Sequence, residues 1–333
     1  MTPRIPDVLR ARLGRRAFLR SAIAVPAAAA AIYAAGCGGG DDGDTPPEET
    51  PATPPSTNTA ADGDIRPVML TSEFVSGRQN RFVVGLLQGG DLLKDADVHV
   101  RFFTVGADGS TGTLRGEGDL QFVELNVAGA HEHDSSAGDV ASDDSTAFYV
   151  GYAPFDIPGR WGVEMNVTPP GGGTTKAQVP FEVLAESKSP PLGSVPPASR
   201  NDTAATNPNT ESLCSRDPIC PLHDKVIADV LGKGRPLVVQ FSTPAFCETR
   251  FCGPVLEVLL ERVPEYEDRV DFVHIEVWED FQAKRYRRAA VEWNLPTEPY
   301  TFFMDGEGKV VGKLESIFSE EELENALNQL VDL

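Results

Sequence analysis

With 50 acidic against 29 basic side chains among 333 residues, the chain carries a formal charge of −21 at neutral pH. Such a surface repels phosphate backbones and anionic headgroups, which excludes nucleic acid as a partner. A hydrophobic share of 41% is ordinary for a globular protein and leaves room for two folded domains.

Residues 1–37 read as an address. Gly14-Arg15-Arg16-Ala17-Phe18-Leu19-Arg20 has the form of a twin-arginine export signal, with Arg15 and Arg16 as its pair. The stretch from Ala22 to Ala35 is alanine-rich and broken by Pro26, whereas a membrane-spanning helix needs about 20 strongly apolar residues. It closes on Ala34-Ala35-Gly36-Cys37, which resembles a bacterial lipoprotein box with Cys37 as the lipidation site. The expected location is therefore extracytoplasmic, anchored to the cell membrane through a lipid. Residues 38–64 contain no large apolar side chain and form a disordered tether, because nothing in them offsets the entropy of ordering.

From 65 to 185 short apolar runs alternate with turn residues, giving about seven strands and the signature of an all-β domain. The pattern resembles an immunoglobulin-like β-sandwich, which would serve as a spacer or docking module. In "RWGVEMNV" the side chains of Trp161, Val163, Met165 and Val167 share one face, so that face is expected to be buried. His131 and His133, in "HEHD", point the same way only on an extended segment. There they could hold copper or zinc, although a solvated hairpin loop is the plainer reading. Residues 186–213, rich in Pro, Ser and Thr, read as a linker.

Residues 214–333 change period. "PLVVQFST" is a continuous apolar strand, and Val255, Leu256, Leu259, Leu260 and Val263 then recur at helical spacing. "VDFVHIEV" is the next strand, "FQAKRYRRAAVEWNL" the next helix, and "YTFFM" with "KVVGKLES" a hairpin. Ser319 is a good N-cap for a last helix, with Glu320 and Glu321 in its first turn. An amphipathic segment, "HDKVIADVL", precedes the whole.

Five cysteines are present. With Cys37 set aside, Cys214, Cys220, Cys247 and Cys252 remain, and outside the cytosol such thiols form disulfides. Proximity favours Cys214–Cys220, as a structural bridge, and Cys247–Cys252. Gly253-Pro254 opens a helix, so Cys252 lies where unpaired amides and the helix dipole favour a thiolate.

The stretch "LVVQFSTPAFC…CGP" is similar to the strand and active-site segment of the thioredoxin-like superfamily. "EPYTFFMDGEGKVVGKL" resembles the cis-proline strand and hairpin of its membrane-anchored thiol:disulfide oxidoreductases, with Pro299 as the cis-proline. The resemblance implies an α/β thioredoxin-like fold for 214–333, placed after the sandwich. It also implies thiol–disulfide exchange through the Cys-x4-Cys pair, with no cofactor. Alignment with the family makes Cys247 the attacker and Cys252 the resolver, while local electrostatics makes Cys252 the more acidic thiol. Val255 stands where the family has its second cysteine, Gln240 replaces its buried aspartate, and Glu298 precedes Pro299. Partners would be exported thiol or disulfide proteins, or a membrane redox partner.

Two other functions fit the same residues. One is copper binding or delivery by the thiolates of Cys247 and Cys252 with His274 or the His131/His133 pair. The other is a non-catalytic binding lipoprotein braced by a structural disulfide.

Overall fold

A computed structural model describes residues 65–125, 146–207, 209–246 and 251–333, all within one compact unit, Thr57–Leu333. The N-terminal half is built of β1 (Ile65–Met69), β2 (Phe74–Val75), β3 (Arg78–Gln88), β4 (Asp91–Leu92), β5 (Asp97–Val105), β6 (Thr111–Leu125), β7 (Thr146–Phe155), β8 (Gly159–Thr168) and β9 (Thr175–Leu184). All nine join one sheet in the order β1-β3-β7-β6-β5-β8-β9-β2, with β4 on β3. The long strand β6 makes the sheet continuous. Its first part pairs with β5 up to Val98↔Leu120, and its last residues pair with β7 from Gln121↔Val150 to Leu125↔Thr146. Register shifts opposite Phe102 and Phe103 bend it there.

The concave face encloses Phe82, Phe102, Phe155 and the buried side of β8, where Trp161, Val163, Met165 and Val167 are all at most 1% exposed. Period-two alternation in the sequence thus places the expected face inward.

The C-terminal half contains α1 (Ile227–Val230), β10 (Leu237–Phe241), α2 (Cys252–Tyr266), β11 (Asp271–Ile275), β12 (Trp278–Asp280), β13 (Arg285–Tyr286), α3 (Arg288–Glu292), β14 (Tyr300–Met304), β15 (Val310–Glu315) and α4 (Glu320–Val331). Four strands form a small sheet, β11-β10-β14-β15, parallel between β10 and β11 and antiparallel elsewhere. Val238 faces one core with α2 and α4, and Val239 faces the other with Trp293 and Phe302, so β10 is buried on both sides.

These findings correct the expected fold class. The described residues are predominantly β, 41% strand against 16% helix, with a curled half-barrel sheet in place of a two-sheet immunoglobulin-like sandwich, and no α/β thioredoxin-like domain is evident among them. The physical reasons are local. Most of the expected helix "FQAKRYRRAAVEWNL" is not helical, because Arg285–Tyr286 pairs with Trp278–Asp280 and Asn294, at φ 47, follows the helix closely. The amphipathic segment before β10 yields only the four-residue α1, which stops where Leu231 turns extended before Gly232 at φ 69. Among the described residues no helix is long and apolar enough to cross a membrane.

Helix α4 begins as its sequence requires. Ser319 Oγ accepts from the Glu322 amide at 3.1 Å, and the Glu322 carboxylate accepts from the Ser319 amide at 3.1 Å, a complete capping box. Ser319→Ala is expected to cost about 1 kcal/mol in urea unfolding. A cost near zero would show that Arg81, through its bond to Glu322, holds the helix end without the cap.

The two halves share a core. Val83, Leu125, Phe148 and Val150 of the large sheet belong to the same cluster as Val255, Leu259, Leu323 and Leu327. Arg81 crosses this seam, with Nε 2.6 Å and Nη2 2.9 Å from the Glu322 carboxylate, and donates to the carbonyls of Glu315 and Ile317 at 3.1 and 2.6 Å. Residues 186–213, read above as a linker, lie against the fold: Ser189, Ser199 and Thr203 are buried, and the Gly193 amide donates to Val310 O at 2.7 Å.

Glu73, Lys313 and Glu315 are buried together at the seam. Lys313 Nζ lies 3.7 Å from Glu73 and donates to Ser187 and Ser189, while Ser72 Oγ donates to Glu315 at 2.6 Å. Burial pushes the Glu315 carboxyl up to about 7 and the Lys313 ammonium down to about 8. From about pH 4.5 to 7 the folded chain keeps a Glu315 proton that the unfolded chain has released, so stability falls as pH rises. From about pH 8 to 10.5 the unfolded chain holds a Lys313 proton that the folded chain has lost, so stability rises again. Unfolding free energy measured against pH should show this minimum, and Glu315→Gln should flatten its acid side. An unchanged acid slope in that variant would reject the assignment.

Candidate metal centre

Edge strand β11 and one loop build the site. His274, 1% exposed, is the penultimate residue of β11, opposite Gln240 of β10. The free edge of β11 is covered by the segment after Cys220, since the His274 amide donates to Leu222 O at 2.9 Å. That contact sets Cys220 and His223 beside the His274 ring. Cys214 enters from the other end of the loop, just after a short 3-10 turn at Thr210–Ser212.

The loop is fixed from several directions. The Ser215 amide donates to Glu276 at 2.9 Å, and Ser215 Oγ accepts from the Ala245 amide at 3.0 Å. Arg216 forks onto Glu257 of α2 at 2.6 and 3.0 Å, and His223 O accepts from the Ala204 amide at 2.8 Å. Arg287 donates to the Ser212 carbonyl.

One ligand atom from each of Cys214, Cys220, His223 and His274 lies within 4.8 Å of all the others, and all four residues are buried. Cys220 Sγ is 3.2 Å from His223 Nε2 and 3.3 Å from His274 Nδ1. Cys214 Sγ is 3.6 Å from His274 Nδ1, and the two ring nitrogens are 3.2 Å apart. Zinc at the centre of a tetrahedron, with bonds of about 2.3 Å to sulfur and 2.0–2.1 Å to nitrogen, sets its ligands roughly 3.3–3.8 Å apart. The four edges given above, 3.2–3.6 Å, lie at or just below that range.

Hydrogen bonding fixes the His274 tautomer. Its Nε2 lies 3.1 Å from the Ser242 carbonyl and 2.9 Å from Ser242 Oγ. A carbonyl only accepts, so Nε2 carries the proton and Nδ1 turns its lone pair toward the sulfurs. The thiols share a proton: a hydrogen bond from Cys220 holds Cys214 far below the ordinary thiol range, and the same bond pushes Cys220 up. Burial lowers His223, so its ring is neutral and free to donate a lone pair. For His274 burial also disfavours the cation, but hydrogen bonding to Cys214 and its charge outweigh it and raise the pKa. A cavity of about 170 Å³ opens beside the group, lined by Leu213, His223, His274, Glu276 and Arg287 among others.

The sequence-predicted residues separate here. The expected Cys214–Cys220 bridge is corrected: both thiols are free and buried, because each faces imidazole nitrogens around a common centre. His274 joins these two cysteines, and Cys252 is not in the group. Cys252, the first residue of α2, is 0% exposed and disulfide-bonded, its partner lying outside the described residues. Pro299 follows a cis peptide bond, and the preceding Glu298 accepts from Trp278 Nε1 at 2.7 Å. Arg15, Arg16, Cys37, His131, His133 and Cys247 lie outside the described residues. His223 escaped the sequence reading. The signal was there as Cys220-Pro221-Leu222-His223, a ligand pair at the spacing metal sites use, but the export context directed both cysteines toward a bridge.

No family model and no curated protein matches this chain. Among solved structures it is similar to a DUF4426 family protein from Pseudomonas aeruginosa PAO1, at 13% identity and a TM-score of 0.23, covering 39% of this chain and 100% of that one. A likeness that slight carries no argument about function.

Proposed function

We propose that this chain is an exported, membrane-tethered metal-binding protein whose Cys214/Cys220/His223/His274 centre takes a tetrahedral d10 ion of the zinc class. One observation carries the reading: two thiols and two imidazoles converge, buried, with their ligand atoms within 4.8 Å of one another and one histidine tautomer already set. Sulfur and imidazole donors in this ratio suit Zn(II), and two thiolates neutralise its charge in a dry site. Four protein ligands close the coordination shell, as in sites that hold structure or store metal. Metal binding would clamp residues 213–223 onto β11.

Titrating the reduced full chain with Co(II) tests this. One equivalent should bind with tetrahedral d–d absorption and a thiolate charge-transfer band, and Zn(II) should displace it. Ser242→Ala is expected to weaken affinity about tenfold, at the low end for loss of an outer-shell partner, because the Ser242 carbonyl still fixes the ring. Failure of the wild-type chain to take up either ion ends the proposal, and preferential uptake of Cu(I) moves the site to the copper class.

A second activity, thiol–disulfide exchange, is favoured by one observation: Cys252 is in a disulfide at the N-terminus of a 15-residue helix, where amides stabilise a leaving thiolate. Its burial makes it the inner sulfur of such a pair. Turnover of a disulfide substrate that survives Cys252→Ser would exclude it.

A further inference from the structure

The sulfurs of Cys214 and Cys220 have two ways of being satisfied, and they exclude each other. As thiolates they are half of a metal's ligand set. As a disulfide they retain no anionic donor, and the two imidazoles alone make an incomplete site. Five residues separate the cysteines in sequence, and their ligand atoms already lie within 4.8 Å. A bridge needs a sulfur–sulfur bond of about 2.05 Å, so sulfurs no more than 4.8 Å apart must close a gap of at most about 2.8 Å. A cavity lined by Leu213, His223 and His274 reaches the histidine side of the centre, while both cysteines, 3% exposed, lie behind it.

Resting on the metal reading above, we infer that this centre is closed to metal by oxidation: a low-molecular-weight disulfide converts metal-free Cys214 and Cys220 to a bridge that no longer holds the ion. The chemistry balances without a further reactant. One of the two cysteines, as thiolate, attacks one sulfur of R–S–S–R, forming a mixed disulfide and releasing RS⁻. The other gives up its proton and attacks the first cysteine's sulfur, expelling the second RS⁻. The two electrons lost by the protein sulfurs end on the two released thiolates, one of which takes that proton. In the loaded state both sulfurs are metal-bound and do not attack, so the disulfide reacts once the ion has dissociated, and the bridge then bars its return. The expectation of a bridge and the finding of free thiols then describe two states of one site.

The test uses the full chain, Zn(II) and 2-hydroxyethyl disulfide. Metal-free protein should lose two titratable thiols and two mass units, with the new bond mapped to Cys214–Cys220, and its zinc capacity should vanish until a reductant restores it. Since only the metal-free fraction reacts, zinc at ten times its dissociation constant should slow oxidation roughly tenfold. His223→Ala keeps both thiols but drops a ligand. It should oxidise at one rate with or without that zinc concentration, which a purely structural role for His223 would not produce. The inference is overturned if the bridge forms yet zinc capacity persists, if the metal-free thiols resist oxidation, or if zinc gives no protection while bound. Absence of zinc binding to the reduced wild type would instead sink the metal reading, and mass spectrometry would still report whether the bridge forms.

Discussion

Zinc supplied at a hundredfold excess over its dissociation constant is expected to raise the melting temperature by roughly 5–10 °C. Mass action contributes about 2.7 kcal/mol at that ratio, and each kcal/mol shifts a chain of this size by about 2–4 °C. The reason lies in which elements the ligands join. Cys214, Cys220 and His223 come from one loop and His274 from β11, so a bound ion closes contacts that the unfolded chain does not make. The Cys214→Ser/Cys220→Ser pair of substitutions should abolish the shift. An equal shift in that variant would place the stabilising ion elsewhere. Acidification should shrink the effect, because protons compete for the sulfurs and for His274, whose pKa is raised.

Arg81→Ala is expected to be the most damaging single substitution at the seam, at about 3–5 kcal/mol, the range for breaking one side of a buried ion pair. Arg81 and Glu322 side chains are only 9% and 13% exposed, so the remaining carboxylate would sit uncompensated. The guanidinium also serves two backbone carbonyls and is held well protonated: burial opposes its charge, but Glu322 outweighs that. Replacing both partners with apolar residues, Arg81→Met with Glu322→Leu, should recover much of the loss, less the capping box that Glu322 completes. Urea unfolding reads both variants, and a single-variant cost below about 1 kcal/mol would mean the pair behaves as a surface bridge.

Along the chain, most elements were legible because their periods were strong. Alternation in "RWGVEMNV" named the buried face of β8, helical spacing marked α2, and Ser319 marked the start of α4. Sheet continuity was not legible, because β6 reads as one strand whether it joins two partners in one sheet or lies at the edge of a sandwich. Nor was the family reading safe: local strings around Cys252 and Pro299 resemble a known fold, while helix content and the comparisons do not support it. At the site, each ligand but His223 had been singled out, though never as one group. What joins them is a single backbone bond, from the His274 amide to Leu222 O, between residues 52 positions apart. No local pattern encodes that contact.

The common core beneath Val83, Phe148, Leu259 and Leu327 has a practical consequence for anyone dividing this molecule. A fragment ending near 185 would leave a greasy outer wall on its barrel-like half, and a fragment starting near 214 would bare the flank of its last helix. Each piece is expected to clump when produced separately and to recover when the two are co-expressed. Insertions that preserve the chain's order yet pry these walls apart should be tolerated far less well than equally long insertions at the Asp108-Gly109 turn.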